Sequence, residues 1–174
     1  MYYFKYHSLN PDAKFQLKGN VKLYEFSPDY TYEYIKTLTE NEKAPFLKDR
    51  EDNLVVEVGL AQIVDLMIAT NTNSFTHCVV GSGTNTPAAG DTNMQTIIDT
   101  GITVTNRYKS GAIGYFDTFF STTANNGTWN ETGLSTTSAG TILLCRRKFS
   151  STFAKDTTNT ALVAWSLTLA AVAD

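Results

Sequence analysis

From residue 75 onward, the chain alternates between short apolar, β-branched segments and turn signals, with no helical pattern between them. The strongest turn signal is Ala124-Asn125-Asn126-Gly127, because Asn and Gly accept the backbone conformations of tight turns. Strands in succession without helices are typical of antiparallel sheets. The pattern predicts a mainly β fold, an antiparallel β-sandwich of the jelly-roll or immunoglobulin-like type. The predicted strands cover 75–81, 101–108, 111–122, 141–149 and 160–172, with a short element at 129–134.

One helical pattern precedes these strands. Asn53 to Ala69 carries apolar residues at helical spacing, and Asp52 or Asn53 can supply the N-cap. Gly59 inside a helix costs about 1 kcal/mol relative to Ala. We therefore expect one short helix, which begins either at this cap or only after Gly59.

The first part of the chain has a different composition. Residues 1–52 hold 8 of the 14 Lys and Arg and 9 of the 17 Asp and Glu, whereas the remainder is rich in Thr and Gly. The change predicts an N-terminal attachment or extension segment, 1–52, followed by a helix and β-sandwich domain, 53–174. In the alternative, residues 1–52 form one more layer of the same domain. Within this segment, 2–6 and 21–26 are expected to be strands, 30–38 a helix or strand, and 39–52 a linker.

Aromatic residues suggest two kinds of surface. Tyrosine suits protein interfaces because it has an apolar body and a polar tip. The expected interface residues are Tyr2, Tyr3, Tyr24, Tyr30, Tyr32 and Tyr34, with Trp165 either inside the sandwich or at a subunit contact. Trp129, Tyr108 and Tyr115 could instead stack against a ligand such as a host glycan, although strand aromatics more often belong to a core.

Charge and cysteine usage argue against several classes of partner. The net charge is −3, and the only dense basic run is Arg146-Arg147-Lys148, so we expect no nucleic-acid binding. The longest apolar stretch, 161–173, falls short of the ~20 residues of a membrane helix, and we expect no membrane association. Cys78 and Cys145 lack metal-ligand spacing, so we expect no metal. Two buried thiols are expected, with a disulfide between them as the alternative.

The sequence offers no catalytic constellation and implies no cofactor. Gly81-Ser82-Gly83 lacks the Lys of a phosphate-binding loop. His77 and Cys78 are neighbours in a strand pattern, where side chains point to opposite faces and cannot act on one atom. Glu131 is expected to fix a local bend. These observations predict a protein that is not an enzyme.

The order of several weak motifs resembles that of small bacteriophage virion proteins from tail, fibre and head-decoration gene clusters. The resemblance covers roughly residues 53 to 170. It rests on Asn53-Leu54-Val55 with Gly59-Leu60, then Gly81-Ser82-Gly83-Thr84 with Pro87 and Asp91-Thr92, then Asn126-Gly127 with Glu131-Thr132-Gly133-Leu134, and then Trp165-Ser166-Leu167.

The resemblance implies a virion structural protein that is made in the host cytoplasm. Capsid decoration, tail, fibre and neck positions are all compatible with it. Such a protein acts by assembly with other virion proteins, and closed symmetry favours a homo-oligomer, for which we expect a trimer. The alternative is a carbohydrate-binding module that attaches the particle to its host.

Overall fold

The computed structural model describes residues 14–172, which form nine strands and three short helices. The predicted strand 2–6, together with Tyr2 and Tyr3, lies outside this range. The elements are β1 (Lys14–Phe26), α1 (Tyr32–Ile35), α2 (Glu40–Lys43), a 3₁₀ turn (Ala44–Phe46), β2 (Leu47–Val55), α3 (Glu57–Met67), β3 (His77–Gly81), β4 (Ile102–Thr103), β5 (Asn106–Ser110), β6 (Ile113–Phe120), β7 (Gly127–Ser135), β8 (Leu143–Lys155) and β9 (Thr160–Val172).

The strands form one antiparallel sheet in the order β4-β3-β7-β8-β2-β1-β9-β6-β5, which curls into a half-barrel. The mainly β, antiparallel prediction is therefore confirmed. Strand β2 joins the two halves of the sheet, because its first part pairs with β1 and its last two residues, Leu54 and Val55, pair with β8. The edge strands β4 and β5 follow each other in the chain, with only Val104 and Thr105 between them.

The main core lies on the inner face of the curled sheet. In β9, Val163, Trp165 and Leu167 point into it, because strand side chains alternate between faces. Strand β1 supplies Val21 and Leu23 from the same half of the sheet. The other half contributes Cys78, Val80, Trp129, Leu134, Leu144, Cys145, Phe149 and Phe153.

A second apolar cluster covers part of the outer face. Tyr24, Phe26 and Leu162 on this face pack against Ile35 of α1. Three aromatic residues of the segment between β1 and β2 join them at the margin: Tyr30, Tyr32 and Phe46. The segment from Ser27 to Phe46 therefore lies on the sheet as a partial second layer.

The N-terminal part of the described chain belongs to the sheet. Strand β1 pairs with β9 from Lys14↔Val172 to Phe26↔Thr160 and lies between β9 and β2. The linker predicted at 39–52 is wrong, because this segment holds α2, with a capping box at Thr39 and Glu42, and most of β2. The boundary expected after residue 52 falls within β2.

Helix α3 begins later than its predicted N-cap. Residues 53–55 continue β2, and the N–H of Val56 donates to the carbonyl of Leu144, so pairing with β8 delays the helix. Gly59 lies inside α3, where a Cβ would stand 2.5 Å from the Leu144 Cα. Glycine therefore allows the helix to approach the backbone of β8. None of the helices within 14–172 combines the length and the apolar character that crossing a membrane would require.

Candidate ligand-binding groove

A groove of about 390 Å³ opens on the outer face of the half-sheet β1-β9-β6-β5, beside α2. Alternation along each strand sends every second side chain into it. The residues that line it are Asn20, Lys22 and Tyr24 of β1, Glu40 and Lys43 of α2, Tyr108 and Ser110 of β5, Tyr115 and Asp117 of β6, and Ala164 and Ser166 of β9. Trp165, between these last two, also borders the groove, but its indole lies in the main core on the inner face.

Two stacked tyrosines form one side of the groove. Tyr108 and Tyr115 are directly opposite each other on β5 and β6, a position in which cross-strand aromatic side chains meet. Their ring centroids are 4.6 Å apart and their planes differ by 9°. Tyr108 remains 51% exposed. The pair therefore presents an aromatic surface to solvent.

Glu40 gathers the two lysines of the groove. Lys22 Nζ lies 2.5 Å from Oε2 and Lys43 Nζ lies 2.7 Å from Oε1 of this carboxylate, while the Tyr24 hydroxyl donates to Oε2 at 3.3 Å. Partial burial acts to raise the pKa of Glu40, but hydrogen bonds from Lys22 and Lys43 outweigh it and lower the pKa to about 2. Burial, followed by the charge of Glu40, raises the pKa of Tyr24.

Asp117 lies deeper in the groove and forms no ion pair with any residue in the range 14–172. Burial raises the pKa of its carboxyl above 3.8, which the nearby Lys43 and the hydroxyl of Tyr32 only partly oppose. That hydroxyl lies 3.5 Å from Oδ2. Burial and the charge of Asp117 together raise the pKa of Tyr32 to about 12.

Of the three residues proposed to stack against a ligand, the structure brings two to the groove. Trp129 is 0% exposed, so its expected stacking role is wrong. Its indole packs edge-on against Phe120 and Phe153 and donates from Nε1 to the carbonyl of Asn125 at 2.7 Å. The ring therefore secures the 124–127 turn to the core.

The expected interface residues mostly pack within the chain. Trp165 is 1% exposed and Tyr24 is 3% exposed, so neither is available to a partner and the interior alternative holds for Trp165. Tyr30 and Tyr32 are partly buried in the outer-face cluster. Tyr34 alone among the four described tyrosines of this set is exposed, at 52%.

Sequence reasoning missed the charged members of the groove. Lys22 lies in the predicted strand 21–26, whereas Glu40 and Lys43 lie in the predicted linker 39–52. No local pattern therefore places the three side chains at one site. Asp117 could have been found, because it stands two residues after Tyr115 in a strand pattern and therefore shares its face.

A second polar cluster fixes the 82–97 loop to the sheet. Glu131, which is fully buried, accepts hydrogen bonds from the N–H groups of Gln95 and Thr96 at 3.1 Å and pairs with Arg146. Arg146 Nη1 also lies 2.6 Å from Asp91 Oδ2. Glu131 was expected to fix a local bend in its own strand, but these contacts connect it to the 82–97 loop and to β8. Arg146 is thus buried in ion pairs, and its neighbour Arg147 pairs with Glu51 instead.

The cysteines are free, buried thiols. Cys78 and Cys145 both pair with Leu134, one from each neighbouring strand, so about 10 Å separates their backbones, beyond the reach of a disulfide. Burial raises the pKa of both thiols, which disfavours the reactive thiolate. Residues 14–172 contain no group of three or more His, Cys, Asp or Glu placed to hold a metal.

No family model, curated protein or solved structure matches this chain. The resemblance to virion proteins expected from the sequence therefore rests on motif order alone.

Proposed function

We propose that the protein is a virion structural protein, an accessory component of a phage particle that acts by protein–protein assembly. The motif order over 53–170 supports the class of protein. The geometric observation that carries the proposal is an apolar stripe on α3 that faces solvent. In this proposal the stripe is an assembly surface, and a second copy of the chain covers it.

The stripe consists of Leu60, Val64, Met67 and Ile68, which are between 45% and 79% exposed. The opposite face of α3 is already packed, with Gly59 against β8 and with Ile63 and Leu66 against the main core. A helix that is apolar on opposite faces is normally buried. In a monomer the second face would remain in water, which favours association.

The spacing of the stripe suits a second copy of the same helix. Residues 60, 64 and 67 are separated by four and three positions, which is the spacing of a coiled-coil seam. None of the four side chains is charged, so identical stripes can meet around a symmetry axis without like-charge repulsion. Closed symmetry of this kind is compatible with the expected trimer. An eleven-residue helix buries little area, so neighbouring apolar side chains such as the exposed Leu54 would extend the contact.

We also propose that the two halves of the sheet act as the layers of a sandwich, as expected from the strand pattern. The main core supports this proposal, because it draws side chains from both halves. The two-residue connection between β4 and β5 supports it too. The Val104 N–H donates to the backbone carbonyl of Thr76 beside β3, and the Thr105 N–H donates to the backbone carbonyl of Asp117 in β6. The two outer edges are thus joined through adjacent residues, which gives a rigid body for assembly.

Light scattering of the full chain tests the assembly surface. We expect an oligomer for the wild type and a monomer for the variant Val64→Lys/Met67→Lys, because two buried ammonium groups would face each other without partners. Leu47→Lys is the control, since Leu47 is also an exposed apolar residue but lies outside α3. A monomeric wild type, or an oligomer that the double variant leaves intact, would contradict self-association through α3.

Mass spectrometry of purified particles of the phage that encodes the chain tests the virion assignment separately. We expect the protein in stoichiometric amounts after the particles are washed in high salt. Its absence from particles would overturn the virion role, whatever the oligomeric state in solution.

A further inference from the structure

The groove beside α2 has the dimensions and lining of a small-molecule site. Its volume of about 390 Å³ falls within the range of roughly 300–1,000 Å³ that ligand pockets occupy. None of the residues that line it belongs to α3. A ligand here would therefore be bound independently of the proposed assembly surface.

We propose that this groove is a binding site for a neutral oligosaccharide. A pyranose ring has an apolar face of C–H groups and a rim of hydroxyls, so a matching site needs one flat aromatic surface and several hydrogen-bonding groups beside it. The groove supplies both, and the charges within it select against an acidic sugar.

Tyr108 supplies the flat surface. Tyr115 covers one side of its ring at a centroid distance of 4.6 Å, and the side chain is still half exposed. The stacked partner holds the Tyr108 ring in one orientation, which reduces the entropy lost when a ligand packs against it. The site is thus organised before the ligand arrives.

Polar groups lie on the strands next to this pair. Ser166 is directly opposite Tyr115 on β9, and Ser110 is two residues beyond Tyr108 on β5. Neither hydroxyl forms a side-chain hydrogen bond with another part of 14–172, so both can donate to and accept from sugar hydroxyls. Asp117, two residues from Tyr115, adds a carboxyl group that has no ion-pair partner in the same range.

The charges favour a neutral ligand. Both lysines of the groove are paired with Glu40 at 2.5 and 2.7 Å, so a sialic acid, sulfate or phosphate group would have to compete with that carboxylate. It would also meet Asp117, whose negative charge repels anions. A neutral sugar hydroxyl would not compete with Glu40 for the lysines and would not be repelled by Asp117, because it can donate a hydrogen bond to either carboxyl group.

Binding of the full-length protein to an array of neutral, sialylated and sulfated oligosaccharides, followed by calorimetry with a bound neutral oligosaccharide, tests the proposal. Tyr108→Ala should weaken binding about tenfold, which is the scale of a lost aromatic stacking contact. Tyr34→Ala is the matched control, because Tyr34 is 52% exposed and lies outside the groove. It should bind like the wild type.

Three results would overturn the proposal. The first is the absence of any neutral oligosaccharide among the ligands, including binding to acidic glycans alone. The second is unchanged calorimetric affinity for Tyr108→Ala when its thermal unfolding shows that it is folded. The third is loss of binding in both tyrosine variants when both are folded, since it would point to a surface nearer α1.

Discussion

At the scale of single residues, Asp117 is held where ionisation of its carboxyl is unfavourable. In the folded protein, burial raises the pKa of the Asp117 carboxyl above the ordinary 3.8. The contribution of this group to the free energy of unfolding is therefore fully present below pH 3.8 and is lost as the pH rises through the folded pKa. A carboxylate that lowers stability at neutral pH is common where a side chain serves binding rather than folding.

Asp117→Asn should consequently stabilise the protein at pH 7. Asn cannot ionise, and it can still accept the hydrogen bond from the Tyr32 hydroxyl. Thermal unfolding should give a higher Tm than the wild type at pH 7 and an equal Tm below pH 3.8. Asp156→Asn is a control for which we expect a lower Tm than the wild type at pH 7, because hydrogen bonds from Thr158 favour the ionised carboxylate and lower the pKa of Asp156. A lower Tm for Asp117→Asn at pH 7 would show that the carboxylate stabilises the fold.

At the scale of elements, the buried cluster of Glu131, Arg146 and Asp91 connects the 82–97 loop to β7 and β8. Burial acts to raise the pKa of Asp91, but the N–H of Ala88 and the Arg146 guanidinium hold it below its usual range. The backbone passes close to the Glu131 carboxylate, since a Cβ on Gly83 would lie 2.3 Å from Oε1. The backbone of the 82–97 loop therefore packs directly against the Glu131 carboxylate.

Arg146→Met should destabilise the protein by about 3–5 kcal/mol, because it leaves the Glu131 carboxylate buried without a cation. Arg147→Met is the adjacent control. Its pair with Glu51 lies near the surface, with 48% of the Glu51 side chain exposed, so the expected loss is about 1 kcal/mol or less. Urea titration followed by circular dichroism measures both values. Equal losses for the two variants would show that the buried network contributes no more than a surface pair.

At the scale of the whole molecule, strand β1 is central rather than peripheral. It pairs along its full length with β9 and also pairs with β2, and Val21 and Leu23 lie in the main core. Without it, β9 would lose one of its two neighbours, and its hydrogen-bonded connection to β2 and the other half of the sheet would be broken.

Deletion of residues 1–52 should therefore abolish folding, even though the composition changes near this point. The truncated chain would expose the core face of β9 and the unpaired backbone of its edge. Circular dichroism and a thermal scan should show no cooperative transition where the full chain has one. A folded truncated protein would instead restore the two-unit interpretation, with 1–52 as a separate attachment segment.

The sequence determined most strand positions, because alternation and turn residues are local properties. The predicted strand 160–172 coincides with β9, and 21–26 lies within β1. The turn at 124–127 was also found from its Asn and Gly residues. The antiparallel class followed from these elements, since no helix separates the strands after residue 75.

Only the tertiary structure decided which of these strands are neighbours and what their faces meet. Residues 53–55 have an apolar pattern that suits a helix, but pairing with β8 makes them a strand. Trp129 and Tyr108 were predicted alike as aromatic residues that could stack against a ligand, yet Trp129 is 0% exposed in the core and Tyr108 is 51% exposed. Glu40 and Asp117 share a groove because Glu40 of α2 binds Lys22 and Tyr24 of β1, which lie on the same face of the sheet as Asp117. Such long-range contacts depend on packing of the whole sheet, which alternation along one strand cannot specify.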